Sequence, residues 1–181
     1  MESSVRLKKC VASVRMSKYL VEYLTAKYGV HPKTGGVRFP PGTDLYVLVW
    51  DAMRPARISP REESEEVADA DSDGELKIHL PCSGMVSPYA SKKSPEYWNY
   101  LSLSAKREIR AFVSLHFNFE FHRFMMKNEE LGRPLQIREA VADFRRRYRI
   151  VSISEDGLLK NFARYRQKIA PSKKRKYTHK R

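Results

Sequence analysis

The chain has 181 residues, of which 41% are hydrophobic and 31% charged, and its 35 basic and 21 acidic side chains give a net charge of +14. This composition suits one domain with a hydrophobic core and excludes wholesale disorder. No apolar run approaches the ~18 residues that a membrane-crossing helix needs, so we expect no membrane partner.

Two further features predict the compartment. The N-terminus lacks the apolar segment of a signal peptide. Cys10 and Cys82 lie far apart without a CxxC motif, which excludes a disulfide scaffold and a cysteine zinc site. We therefore expect a reduced, cytoplasmic protein, which would be nucleoid-associated in a bacterium and nuclear in a eukaryote.

The first part of the chain predicts a small scaffold of strand and helix. Partial alternation of apolar and polar residues favours a short strand at residues 5–11. Apolar residues then recur at helical spacing over residues 16–28, and Gly29 provides a stop. The Pro- and Gly-rich loop that follows has room for an extended piece at residues 37–39.

Residues 45–53 fit both a strand and a helix. Their β-branched and aromatic content favours a strand. Thr43 or Asp44 as an N-cap and Pro55 as a terminator favour a helix, which we prefer slightly.

An acidic stretch divides the chain. Residues 61–75 hold eight acidic side chains and one arginine without an aromatic residue, which is typical of a linker. Residues 76–80 then alternate apolar and polar side chains and predict a strand, whose neighbours would be residues 5–11 or 37–39.

The remaining sequence predicts a helical bundle. Ser94 and Pro95 are a typical helix start. Ser104 would cap the longest helix, which Gly132 and Pro134 end. Two shorter helices follow, the last one capped by Ser154. The Phe-rich segment 115–126 also has strand-like alternation, but its helical period runs for four turns, so core packing is preferred.

These elements predict a mainly helical α+β fold, with a small β element and helices N-terminally and a C-terminal bundle ending in a helix-turn-helix-like pair. The expected organisation is an N-terminal scaffold, an acidic loop or linker, a strand with a bundle, and a disordered basic tail. Their bounds are residues 1–60, 61–75, 76–170 and 171–181.

The basic charge is concentrated at the C-terminus. Residues 133–181 hold 16 basic and 4 acidic side chains, so most of the surplus lies in the last quarter of the chain. A segment this cationic usually meets a polyanion. The tail, PSKKRKYTHKR, suits a phosphate backbone and resembles a nuclear localisation signal. A solvated basic face on a structural bundle is the alternative.

The last two helices predict the binding residues. Arg and Asn suit base edges, and Lys and the remaining Arg suit phosphates. A helix-turn-helix has a turn of ~3–4 residues, but residues 149–154 are a longer connection, so a looser helix–loop–helix or a short strand stays open. The candidate nucleic-acid-binding residues are Arg145, Arg146, Arg149, Lys160, Asn161, Arg164, Lys168, Lys173, Lys174, Arg175 and Lys176.

We therefore expect a protein that binds nucleic acid, most of all duplex DNA, through the basic C-terminal helix pair and tail, with DNA favoured over RNA. It would serve as a regulator or as an accessory factor of replication or recombination. One alternative is an RNA-binding component of a larger assembly. The other is a non-catalytic adaptor or a homodimer that uses an aromatic helix face.

Other motifs carry less weight. No GxSxG, Walker, HExxH or Rossmann pattern is present, so we expect no enzymatic activity and no cofactor.

Residues 69–74 match the opening of an EF-hand loop, but Leu80 stands where the bidentate Glu is needed. His116 and Glu120 lie one helical turn apart, and a buried hydrogen-bonded pair is preferred to a metal site. Finally, electrostatics allows the acidic stretch to fold back on the basic C-terminus.

Overall fold

The computed structural model describes residues 10–55, 73–81, 93–95 and 97–170. Helices make up 56% of the residues that the structure describes, so the predicted mainly helical α+β fold is confirmed. In chain order the described elements are β1 (Val11–Met16), α1 (Lys18–Tyr28), α2 (Asp44–Ala52), β2 (Gly74–His79), α3 (Leu103–Glu130), α4 (Ile137–Arg147) and α5 (Glu155–Ile169).

The two strands form an antiparallel pair in which Val14 lies opposite Leu76. Residue Val37 extends this sheet by a parallel bridge to Ile78, with hydrogen bonds of 2.7 Å to Lys77 O and 2.9 Å from His79 N. The predicted strand at residues 76–80 and its neighbour at Val37 are therefore confirmed.

The first strand begins where the predicted one ends. It covers Val11–Met16 instead of residues 5–11, of which residues 5–9 lie outside the described part. Ala12, Val14 and Met16 are buried, and Ser13 and Arg15 alternate with them. The small side chains Ala12 and Ser13 weaken the alternation that marks a strand, which is why the sequence pattern placed it too early.

The end of the acidic stretch belongs to the fold. Asp73 accepts a hydrogen bond of 2.7 Å from the backbone N–H of Lys18 at the start of α1, where a carboxylate also suits the helix dipole. Gly74, the first residue of β2, packs directly against the first residue of α1. A Cβ added to Gly74 would lie 2.9 Å from the Cα of Lys18. The expected linker and the EF-hand-like residues before Asp73 lie outside the described residues.

Helix α2 resolves the ambiguity of residues 45–53 in favour of the helix. The side chain of Thr43 accepts a hydrogen bond of 3.3 Å from Tyr46 N, as expected of an N-cap. The helix buries Leu45, Tyr46, Val49 and Trp50. These four residues lie on one side of the helix. The segment can therefore bury its apolar side chains as a helix, although its composition also fits a strand.

The prediction of a short helix after Ser94 is wrong. The backbone makes one turn, with hydrogen bonds from Tyr97 N and Trp98 N to Ser94 O. The chain is then extended at Tyr100, which pairs with Arg54 through hydrogen bonds of 3.0 and 3.2 Å. Because the N–H and C=O of Tyr100 are bonded to Arg54, they are not available for the hydrogen bonds of a further helical turn.

Helix α3 is the centre of the bundle. Its inward side buries Ile109, Val113, Phe117, Phe121 and Met125. It packs against β1 and all four other described helices. The core is shared by elements on both sides of the acidic stretch. The helix begins earlier than expected, because Ser102 rather than Ser104 accepts the capping bond, from Ala105 N at 3.3 Å.

Candidate nucleic-acid interface

Helices α4 and α5 bury their apolar sides against α3. The ring of Phe144 on α4 lies 5.1 Å from that of Phe121, and the ring of Phe162 on α5 lies 6.3 Å from it. These anchors fix which side of each helix faces the core. Over residues 137–169, nine basic and four acidic side chains are distributed on the remaining sides.

The connection between α4 and α5 is a loop rather than a tight turn. It covers residues 148–154, inserts Ile150 into the core, and turns at Arg149, whose φ of 51° is left-handed. Glu22 of α1 accepts hydrogen bonds from the backbone of Val151 and Ser152. Of the arrangements that the sequence left open, the structure has the helix–loop–helix. The short turn of a helix-turn-helix is absent from these residues.

The three arginine candidates of α4 and the connection differ in availability. Arg145 forms an ion pair of 3.0 Å with Glu155, and its side chain is only 23% exposed. Arg146 contacts Asp143 at 3.4 Å but remains 78% exposed. Arg149 is exposed and forms no ion pair with another described residue. Arg145 therefore joins α4 to α5, while Arg146 and Arg149 face solvent.

The lysine and arginine candidates of α5 form a cationic row. Lys160, Arg164 and Lys168 follow one another at intervals of four residues, which places them along one side of the helix. All three are exposed. None forms an ion pair within the described ranges. The row therefore presents three positive charges over two helical turns.

Asn161 lies at the contact of α5 with α3. Its side-chain oxygen lies 2.6 Å from Nε2 of His122, and its NH₂ group donates to Asn118 Oδ1 at 3.0 Å. The ring of His122 also stacks on Tyr165 with 4.0 Å between centroids. Burial lowers the pKa of His122, as does the charge of Lys168. Asn161 thus uses its amide to hold α3 and α5 together.

The four candidates of the tail, Lys173, Lys174, Arg175 and Lys176, lie outside the described residues.

A polar cluster that the sequence did not reveal as such joins α1 to α3. Nζ of Lys27 donates to Oε2 of Glu120 at 2.7 Å, and Tyr23 donates to the same oxygen. Nζ also lies 3.0 Å from Nε2 of His116. The predicted hydrogen-bonded pair of His116 and Glu120 is therefore bridged by Lys27.

The contacts within the cluster shift the pKa values of Glu120, His116 and Tyr148. Partial burial alone would raise the pKa of Glu120, but hydrogen bonds from Lys27 and Tyr23 lower it below its ordinary value. Burial, followed by the charge of Lys27, lowers the pKa of His116. Burial and the Glu120 charge raise the pKa of Tyr148 to about 12. The favoured state at neutral pH is thus an ionised Glu120 beside a neutral His116.

The sequence predicts the two halves of this cluster but not the contact between them. Tyr23 and Lys27 are four residues apart on α1, as are His116 and Glu120 on α3, so each pair shares a helix face. The contact between the two pairs depends on how the helices pack. In the part of the chain that the structure covers, no three His, Cys, Asp or Glu side chains are grouped as metal ligands.

Among the described helices, none combines the length and the apolar character that a bilayer crossing requires. Comparisons with family models, with curated proteins and with solved structures find no match for this chain.

Proposed function

We propose that this protein binds nucleic acid without catalysing a reaction, and that the cationic row of α5 is the main binding surface. The observation that supports this is the arrangement of Lys160, Arg164 and Lys168. They are exposed and aligned on one side of α5, while Leu158 and Phe162 anchor its other side in the core. A fixed helix with aligned cations is well suited to a polyanion.

Duplex DNA is the favoured ligand. The major groove of B-DNA admits an α-helix, and an arginine reads guanine there by two hydrogen bonds. Arg164 is the arginine at the centre of the row and is therefore the proposed base reader. Lys160 and Lys168, together with Arg146 and Arg149 on the neighbouring segment, would bind phosphates. The basic tail would add affinity that depends on salt rather than on sequence.

Asn161 has a different role in this proposal from the one expected of it. Its amide is occupied by His122 and Asn118, so reading a base would break both bonds. We therefore assign Asn161 to positioning α5 on α3. Such a protein fits a regulator or an accessory factor of replication or recombination, in the cytoplasm with the nucleoid or in a nucleus.

A second candidate is supported by α3. Leu115 and Phe119 are 69% and 61% exposed, which is unusual for two large apolar residues one turn apart. This exposure favours a protein partner on the aromatic helix face, whether an adaptor contact or a homodimer. An RNA-binding component of an assembly would use the same charges as the DNA binder and would differ from it in the nucleic acid that it prefers.

The test compares duplex DNA, single-stranded DNA and structured RNA across a salt series. The variant Lys160→Ala/Arg164→Ala/Lys168→Ala removes the row. The matched control Lys33→Ala/Arg38→Ala/Lys77→Ala removes the same residue types from exposed positions elsewhere. We expect duplex DNA to bind most tightly and only the first variant to weaken it. The slope of log K against log salt should fall by about 0.9 for each phosphate that the variant no longer neutralises.

If DNA affinity fell equally in the two variants, the loss would follow from net charge alone. That result would contradict the role of the row. Tighter binding of structured RNA would favour the RNA-binding alternative. Absence of binding to any of the three polyanions at low salt would overturn the proposal.

A further inference from the structure

One side of α3 is an uncovered apolar ridge. Ala111, Leu115 and Phe119 follow one another at intervals of four residues and are all exposed. They lie opposite the side that buries Val113, Phe117 and Phe121, and no described element covers them. We call Ala111, Leu115 and Phe119 the α3 ridge. Rows of this spacing are the surfaces by which two helices interdigitate.

Opposite charges stand at the two ends of the ridge. Glu108 lies toward the start of α3 and Arg123 toward its end, and both side chains are exposed. Neither forms an ion pair within the described ranges. They are seven residues before and eight residues after Leu115, so they are almost equally far from the middle of the ridge.

We propose that a second copy of this chain packs on the α3 ridge, with the two α3 helices antiparallel about a two-fold axis near Leu115. In an antiparallel pair, residues equally distant from the centre on opposite sides meet. Leu115 then meets Leu115 of the second copy. Glu108 faces Arg123 of the second copy, and the symmetry repeats this pair at the other end.

The arrangement is complementary in shape as well as in charge. Phe119 of one helix comes to the level of Ala111 and Phe112 on the other, where the small side chain of Ala111 leaves room for an aromatic ring. A parallel pair would instead place Glu108 beside Glu108 and Arg123 beside Arg123. Like charges at such positions select against the parallel arrangement.

The dimer would also join the two basic surfaces. Helix α5 lies beside the ridge on the side that carries Asn118 and His122. A two-fold axis that relates antiparallel α3 helices keeps that side on the same face of the dimer. Both cationic rows then face one ligand, as in dimers that bind two half-sites of a duplex. This consequence rests on the proposed function, whereas the dimer itself does not.

Sedimentation velocity of the full chain over a range of concentrations tests the proposal without nucleic acid. We expect a monomer–dimer equilibrium that Phe119→Glu or Leu115→Glu shifts to monomer. Leu131→Glu is the matched control, because Leu131 is 67% exposed and follows the last residue of α3, outside the α3 ridge. A wild-type chain that stays monomeric throughout, or a dimer that Leu115→Glu leaves intact, would overturn the proposal.

Charge reversal tests the antiparallel register with milder variants. Glu108→Arg and Arg123→Glu should each weaken self-association, because each places like charges opposite one another. A mixture of the two variants should dimerise again, since every facing pair is then of opposite sign. Failure of the mixture to recover, when the single variants have weakened, would overturn the antiparallel register. A dimer that does not bind DNA would contradict the proposed function alone.

Discussion

The carboxylate of Glu22 on α1 binds Ser152 through both its backbone and its side chain. Oε2 accepts hydrogen bonds from the amide N–H at 3.1 Å and from Oγ at 2.9 Å, and a third bond of 2.8 Å comes from Val151 N. One oxygen on the N-terminal helix therefore holds the connection between α4 and α5. The placement of the basic helix pair depends on this anchor.

Replacement of Glu22 tests the anchor. Glu22→Ala leaves the two amide groups to water, and we expect a loss of about 1–3 kcal/mol in the free energy of unfolding. The amides of Val151 and Ser152 should exchange hydrogen faster. Urea unfolding and native-state hydrogen exchange measure the two effects. Glu130→Ala is the control, because Glu130 is exposed and bonds to no other described side chain. Equal stability of the two variants would contradict the anchoring role.

Removal of Lys27 should expose the coupling inside the polar cluster. Lys27→Met leaves the Glu120 carboxylate without its cation, so the pKa of Glu120 should rise and the protein should lose stability. In Lys27→Met/Glu120→Gln the charge is gone as well, and the double variant should be more stable than the sum of the single losses predicts. We expect an interaction energy of about 0.5–3 kcal/mol from the double-mutant cycle. Additive losses would show that the two residues act independently.

Acid should destabilise the fold through His116. Its folded-state pKa lies below the ordinary value of 6.5 because of burial and the charge of Lys27. As the pH falls through 6.5, the unfolded chain takes up this proton first, so stability present above that pH is lost. Glu120 acts in the same direction at lower pH, because its folded-state pKa is also lowered.

The variant His116→Gln checks the assignment. Its free energy of unfolding, measured by denaturant at a series of pH values between 5 and 8, should vary less with pH than that of the wild type. The remaining slope belongs to His79 and His122, whose pKa values are lowered by burial too. An unchanged slope would show that protonation of His116 does not contribute to the loss of stability in acid.

Two phenylalanines on α3 provide a matched pair. Phe121 is fully buried and contacts Phe144 and Phe162, whereas Phe119 is 61% exposed. Phe121→Ala should lower the free energy of unfolding by about 3–5 kcal/mol. Phe119→Ala should change it by no more than about 0.5 kcal/mol in dilute solution. Similar losses at both positions would contradict the helical face on which the core and the α3 ridge depend.

The sequence predicts elements best where a local pattern and a cap agree. Helix α5 has its cap at Ser154, its apolar period and its basic end, and it forms where expected. The alternation over residues 76–80 likewise corresponds to β2. Residues 45–53 are harder because two patterns overlap, and the Thr43 cap indicates the correct one.

Three features that sequence reasoning misses depend on distant contacts. The turn after Ser94 stays short because Arg54 pairs with Tyr100, and no local signal marks that bridge. Asn161 looks like a base reader on an isolated helix, yet it bonds His122 and Asn118 across the bundle. The partners of Glu120 on α1 are about a hundred residues away in the chain, so only packing brings them together.

The pairing of β1 with β2 has a consequence for synthesis on the ribosome. β1 is made before α1 and α2, but its antiparallel partner emerges only after both helices. The central helix that completes the core emerges later still. The apolar sides of β1, α1 and α2 therefore stay exposed until the later elements have been synthesised. The core cannot form from the N-terminal elements alone. Slow elongation before α3 would prolong the interval in which the nascent chain is most open to aggregation and chaperone capture.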